Sequence, residues 1–568
     1  MHLSRLAVVL APLTLVMLAS CTDLLTAPRS GPRLENGRDD AMSEAIVAPP
    51  GFAGMVRIGV IPAINGTTPT TSVTIGSPGA FTVVNKATGA TLALGTAENL
   101  TAVLLPGGPS STRLWWQVAC TGSTVTRDNW TARVTLAGFE WYTEFVAGAN
   151  CWRLRIGSLP TSATSDQRTA FRASFIAAGL SFPPTAPGGP FTVTRSSGVP
   201  SIELRRGGIV LATAPNDIVL SSPDGLVRIG PRVYRGVAEV RIATGGGAIA
   251  GINELSIEQY LWGVVPRELG PIAFPELEAL KAQAVAARTY AIANFNKRLA
   301  DGYNLLATTA DQVYGGYQDE HMLSTRAVDE TAGIIATADG VRPIEALYFS
   351  TSGGFTANNE DVFNSAPVAY LRGIPDQERG NSLEHHAEGM QNNASARSLR
   401  AAREGDFESD WSRYHRWTFE WSAVEIRDVI SSWVGKDVGA VREINVVERS
   451  GSGRVRLIEY VTDSGTYSDT KDRVRSSLRY IDAAGTKVNL PSTLVYIEPI
   501  HDKETKALIG FVAWGGGFGH GVGMSQTGAV GMAEKKATFE EILKHYYRGI
   551  ELVRMCTDPA GCPLLPLT

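Results

Sequence analysis

Beyond its first twenty residues the chain has no apolar run long enough to cross a bilayer as a helix, so no helical span is expected there. An excess of one charge is missing too. The formal net charge is −4 over 568 residues, without the basic face that phosphate backbones require, so no nucleic-acid partner is expected. Cysteine is scarce, five in all, and none is spaced with histidine as in a zinc site. Long amphipathic helical patterns are few. What is present is glycine (59 residues) and many short Val, Ile and Thr runs, which predict β-rich modules in an α+β chain of about three domains. Near-neutrality suits a neutral polymer as substrate.

The N-terminus carries a targeting pattern. A short basic segment is followed by an apolar core from Leu6 to Ala19 and then by Leu18-Ala19-Ser20-Cys21. The core fits a signal peptide, and small residues before Cys21 match a bacterial lipobox. Residues 1–21 are therefore expected to be a lipoprotein signal, with Cys21 carrying the lipid and the protein held outside the cytoplasm by that anchor alone. The other four cysteines, Cys120, Cys151, Cys556 and Cys562, form an even set, which in an exported chain reads as disulfides. Proximity pairs Cys120 with Cys151 and Cys556 with Cys562.

Residues 22–50 are polar with several Pro and Gly and read as a disordered linker. Short strands separated by turns predict a small β module over 51–113. From 114 to 186 strands rich in Trp, a β middle that includes 131–136, and an amphipathic helix from Ser165 to Ala178 predict an α/β module. That order resembles the SPOR module, which binds peptidoglycan glycan chains. The Pro/Gly segment before Phe191 predicts a boundary, after which 191–555 reads as one mixed α/β domain and 556–568 as a tail.

Within that domain Glu268 falls in a stretch punctuated by Pro266, Gly270 and Pro271, expected to be a loop. An Ala-rich run from Glu278 to Ile292 predicts a tightly packed helix, with Pro275 in its first turn. An acid held against so rigid an element suits catalysis, which needs its groups fixed. Downstream lie Gln312-Val313-Tyr314, then Ser350-Thr351-Ser352-Gly353-Gly354-Phe355-Thr356 after a predicted strand over 343–347, then Glu360-Asp361, and finally Gly519-His520-Gly521-Val522-Gly523-Met524-Ser525-Gln526.

These motifs, together with Tyr260 to Val265 and Glu278 to Ala291, are collinear with those of the SpoIID/LytB family, and the chain resembles it over roughly 191–555. The resemblance implies a lytic transglycosylase that cuts peptidoglycan glycan strands between N-acetylmuramic acid and N-acetylglucosamine and leaves a 1,6-anhydro end. Glu268 aligns with the catalytic acid. Gln283, Arg288, Gln312, Tyr314, Ser350, Ser352, Gly353, Gly354, Thr356, Glu360, His520, Ser525 and Gln526 are the expected substrate-binding residues, with Arg288 a candidate ion-pair partner for Glu268. No cofactor is implied. Some members of the family hold zinc near the Gln-Val-Tyr motif, but residues 304–311 have no Cys or His here, so no metal is expected there. The dense segment Glu384-His385-His386-Ala387-Glu388 reads as solvated. The alternative within the family is a non-catalytic amidase enhancer, which binds wall glycan and has a separate wall amidase as its partner. Leu269-Gly270 departs from the commoner Met-Pro after the acid.

Overall fold

The computed structural model describes residues 52–107, 110–146, 151–180, 191–196, 199–377, 399, 407–408 and 411–555. It is a mixed α+β structure. Its N-terminal part is a pair of antiparallel-dominated sheets. One orders the strands Leu305–Leu306, Met55–Ile61, Ile249–Ser256, Val237–Ile242, Ile218–Ser221, Ala80–Asn85 and Thr91–Thr96. The other orders Ile209–Ala214, Ser201–Arg206, Asn99–Leu105, Ser72–Gly76, Leu226–Ile229 and Arg232–Arg235. Alternate residues point inward, as the two-residue period of a strand demands. Val56, Ile58, Val83 and Val240 from the first sheet share one buried core with Ile75, Ala102, Leu204 and Ile229 from the second.

This topology corrects the expected β module at 51–113. Its strands find partners far along the chain: Met55 pairs with Ser256, and Ser201 pairs with Leu105. Neither half closes a sheet alone, so 51–113 and the strands from 201 onward form a single core. The α/β unit is inserted between them. It runs strand Ser110–Thr121, helix Thr124–Leu136, strands Trp141–Val146 and Cys151–Pro160, helix Ser165–Ala177 and strand Phe191–Ser196. The sheet order, with the last strand beside the first, is that of a split βαβ repeat. Two expectations change here. Residues 131–136 are helical, because Ser123 caps a helix start by accepting from the Thr126 N–H. Phe191–Ser196 belongs to this unit, pairing antiparallel with Ser110–Thr121, so the boundary falls after it. Cys120 and Cys151 are disulfide-bonded with Cα atoms 5.5 Å apart. Cys21, Cys556, Cys562 and the Glu384–Glu388 segment lie outside the described residues.

The sandwich hands directly on to the helices. Strand Ile249–Ser256 ends at Ser256, whose hydroxyl accepts from the Gln259 N–H and starts the helix Ile257–Glu268. The Ala-rich helix follows as Leu277–Ala293, with Glu276 as its N-cap; Pro275 precedes the cap instead of occupying the first turn. Every residue from Ala282 to Ile292 is buried. Small side chains permit this, since helices Ile257–Glu268, Met322–Glu330, Gln526–Glu534 and Phe539–Tyr546 all pack on it. Glu278 adds a directed tie, accepting from the Phe539 N–H at 2.9 Å.

A second core gathers Trp421, Ile430, Ile458, Tyr460 and Phe511 from the segment 417–513. Helix Ala423–Val434 packs there on the sheet Trp417–Ser422, Leu508–Gly515 and Val495–His501, beside the three-stranded sheet over 441–470.

Candidate functional site

Glu268 is the last residue of its helix and not a loop residue, which corrects the expectation; Leu269 is the C-cap. Pro266 stands within the final turn. The helix C-terminus carries partial negative charge, which disfavours a second negative charge placed on it. The carboxyl is half-buried, and its Oε1 accepts the Val313 N–H at 2.7 Å. Burial pushes its pKa up from the ordinary 4.5, while the Val313 N–H, the side chains of Gln526 and Tyr348 and the charge of Arg267 oppose that rise without cancelling it. Apolar residues follow the acid in sequence. Leu269 and Pro271 are buried, and the Phe274 ring lies 5.5 Å from that of Trp411, which is partly exposed.

A hydrogen-bond relay positions the carboxyl's neighbours. Gln312 is fully buried. Its Nε2 donates to the Ala287 carbonyl at 3.2 Å and to the Tyr348 hydroxyl at 2.9 Å, while its Oε1 accepts from Tyr260 at 3.1 Å. Because the Tyr348 oxygen already accepts from Gln312, its own proton is free to point at Glu268. Tyr348 stays protonated: burial, then the charge of Glu268, push its pKa well above 10.0. Gln526 donates to Gln283 Oε1 at 3.3 Å and also reaches Glu268. The Gln283 Nε2 is buried and has no partner among the described residues, an unused donor two side chains from the acid.

Several expected substrate contacts prove to be internal supports. Arg288 is fully buried and donates to Glu258 through Nε and Nη2, at 2.9 and 2.6 Å, so the expected pairing with Glu268 is not made. The Tyr314 hydroxyl donates to Asn253 at 2.9 Å, and its ring lies so close to Gly263 that a Cβ there would sit 2.6 Å from it. Thr356 accepts from the Ile374 N–H at 2.9 Å. Glu360 is clamped by Arg372, with one contact of 2.7 Å, and this pairing holds its carboxyl below the usual range. His520 is half-buried, lies with its ring 5.5 Å from those of Phe349 and Phe363, and accepts from the Val522 N–H. Burial lowers its pKa to about 4, so it is neutral at pH 7.

The Ser350–Thr356 loop and Ser525 converge on a residue that sequence reasoning missed. Glu408 is fully buried. It accepts from the N–H groups of Ser352 (3.2 Å) and Gly353 (2.7 Å), the hydroxyls of Ser352, Ser525 and Thr527 (3.2, 3.3 and 2.6 Å), and lies 3.3 Å from His415 Nδ1. Burial alone would raise its pKa; the hydrogen bonds from His415 and Thr527, the charge of His415 and the Gly353 N–H outweigh it and hold the carboxyl below its ordinary value. Ser352 and Ser525 thus spend their hydroxyls on Glu408, while the hydroxyl of half-buried Ser350 shares a hydrogen bond with that of Thr351, at 3.1 Å. Gly353 and Gly354 have φ of +72° and +101°, and a Cβ on Gly353 would come within 2.7 Å of Gly516 and Gly517. Arg454 braces the same loop from the second core, donating to the carbonyls of Phe355 (2.8 Å) and Ser352 (3.0 Å).

Among the described residues no three His, Cys, Asp or Glu side chains are grouped to hold a metal ion.

The elements that carry the acid define a known class. A family model for stage II sporulation protein matches residues 245–337, which hold the acid helix and the Ala-rich helix, and the chain belongs to the SpoIID/LytB family. A second model, a domain of unknown function (DUF8618), matches residues 357–523. Among curated proteins the chain is similar to an uncharacterized protein of Brachyspira hyodysenteriae, 32% identical over 53% of this chain and 68% of that protein. It is also similar to the amidase enhancer of Bacillus subtilis, at 29% identity over 51% of this chain and 40% of that protein. Stage II sporulation protein D of Bacillus subtilis is 27% identical over 53% of this chain and 75% of that protein.

Proposed function

We propose that this protein is a lytic transglycosylase of peptidoglycan glycan strands, with Glu268 as acid and then base. The observation that carries the proposal is a half-buried carboxyl whose pKa is raised, while other acids are committed elsewhere: Glu360 to Arg372, Asp361 to Asn358 and Arg456, and Glu408 to the Ser352 loop. A hydrolase of the usual kind needs a second working carboxylate as nucleophile or base, whereas an anhydro-forming lyase needs one. In the proposed reaction the Glu268 proton goes to the glycosidic oxygen as the bond from it to C1 breaks. The C6 hydroxyl oxygen then bonds to C1, and its proton returns to the Glu268 carboxylate. No water is consumed. The Val313 N–H and Tyr348 stabilise the carboxylate between the two transfers.

The test is to incubate the protein with purified glycan strands and identify products by mass spectrometry. 1,6-Anhydro ends support the proposal; reducing ends alone would reassign the protein as a hydrolase. Tyr348→Phe is a further expected outcome. Losing a hydrogen bond to a charged group costs about 1.5–3 kcal/mol, so kcat should fall roughly tenfold or more. Tyr348 lowers the pKa of Glu268, so in the variant the fall of activity with rising pH should move to higher pH, read from a pH–rate profile.

A second reading is a non-catalytic enhancer of a wall amidase, favoured by the similarity to a protein named amidase enhancer. Stimulation of an added amidase without any anhydro product would support it. Under either reading we propose export and lipid attachment at Cys21, checked by labelling with a lipid precursor in the wild type and in Cys21→Ala.

A further inference from the structure

A cleft of about 380 Å³ lies outside the acid site, between Phe363 and Asn364 on one side and the turn carrying Lys471, Arg473 and Arg475 on the other, with Asn489 at its margin. Its walls hold three cationic side chains and one acid, Asp472. The acid is committed to Arg475, at 3.5 Å, and Arg473 turns toward Asp469, at 2.7 Å. Lys471 differs from both. Its ammonium donates to the Phe363 carbonyl at 2.9 Å, and no carboxylate pairs with it among the described residues. Its backbone is left-handed, with φ of +55°, a conformation that L side chains rarely adopt and that glycine takes readily. A lysine stands there despite that strain, and strained backbone recurs where a side chain is held for binding. The cleft is joined to the acid site through rings: Phe363 packs on His520, His520 packs on Phe349, and Phe349 adjoins Tyr348.

We propose that this cleft is an anion subsite that takes a carboxylate of the same wall polymer, with Lys471 as its principal ligand. The proposal rests on the reading of the acid site as one that engages glycan strands. The carboxylate has two chemical sources, the lactyl group of muramic acid in peptide-free strands and the acidic residues of stem peptides.

The test uses the chain carrying Glu268→Gln, so that bound strands are not consumed, titrated calorimetrically with peptide-free strands, with peptide-bearing strands and with methyl-esterified versions of each. Binding of at least one polymer should weaken tenfold or more on esterification and, separately, in Lys471→Gly, while Lys471→Arg keeps it and Lys471→Glu weakens it further. Lys471→Gly suits the positive φ, so its melting temperature should rise, which separates a lost charge from a damaged fold. The polymer whose esterification matters identifies the source. Binding indifferent to esterification, or unchanged in Lys471→Gly, overturns the subsite. Anhydro product from wild-type protein together with that indifference leaves the transglycosylase standing; carboxylate-dependent binding without product leaves the subsite standing and removes the enzyme.

Discussion

Glu268→Gln is expected to leave a folded protein that turns over glycan strands about 10²–10⁴-fold more slowly, the span that one general acid–base group supplies. The amide is nearly isosteric and still accepts the Val313 N–H, but it has no proton to give and cannot take one back. The variant should also be more stable than the wild type at neutral pH. The sign follows from the raised pKa: the folded protein holds the Glu268 proton more tightly than the unfolded chain does. That preference stabilises the fold fully below the unfolded value of about 4.5 and is lost as pH rises through the higher folded value. Above it the wild type carries a buried charge that the glutamine lacks. Melting curves of the two proteins should therefore diverge as pH is raised across that interval and converge below it. The same titration sets the activity profile, with turnover falling as Glu268 loses its proton. Turnover unchanged in the variant would remove Glu268 from the mechanism.

Glu408→Ala is expected to be the most destabilising single change near the site, by about 3–5 kcal/mol, as when one partner of a buried charged network is removed. The N–H groups of Ser352 and Gly353 and the Thr527 hydroxyl would lose their acceptor in a place water does not reach. Glu408→Gln would restore the volume but point an amide donor at groups that are themselves donors, so it should rescue only part of the loss. Denaturant midpoints give the measurement. The pH dependence runs opposite to that of Glu268. The folded pKa of Glu408 is depressed, so its stabilisation is present above about 4.5 and lost as pH falls through the folded value. A variant no less stable than the wild type would show that the loop does not depend on this carboxylate.

The contrast between these two acids shows what the sequence makes legible. Glu268 lies in a run of local motifs, and the helix after it announces itself through alanines at close spacing. Gln526 is visible in the same way, inside a short pattern, whereas Tyr348 stands just ahead of the Ser350 motif and is given no role by it. Glu408 sits in an unpatterned polar stretch, and apart from His415, seven residues on, its side-chain partners are 55 to 119 residues away in sequence. Hydrogen bonds of that reach leave no local periodicity to read. The β module at 51–113 failed for a related reason. Its strands have sound alternation, but alternation does not name a partner, and Met55 finds its own at Ser256. Residues 131–136 mislead through β-branched Thr131, Val134 and Thr135, whose preference is overridden by the cap at Ser123. The motifs single out Gln312 and Arg288, but burial assigns them to support: both are fully enclosed and bonded within the protein.

Gln526, which touches the acid, starts one of the last helices of the described chain, while Glu268 stands near its middle. Synthesis runs from the N-terminus, and early segments fold as they emerge. A nascent chain that has completed its sandwich and its acid helix still lacks the side chain that bridges Gln283 to Glu268, and also lacks the Ser525 and Thr527 hydroxyls that hold Glu408. If Glu268 acts as proposed, the order of manufacture leaves its site incomplete until the helix that begins at Gln526 is made.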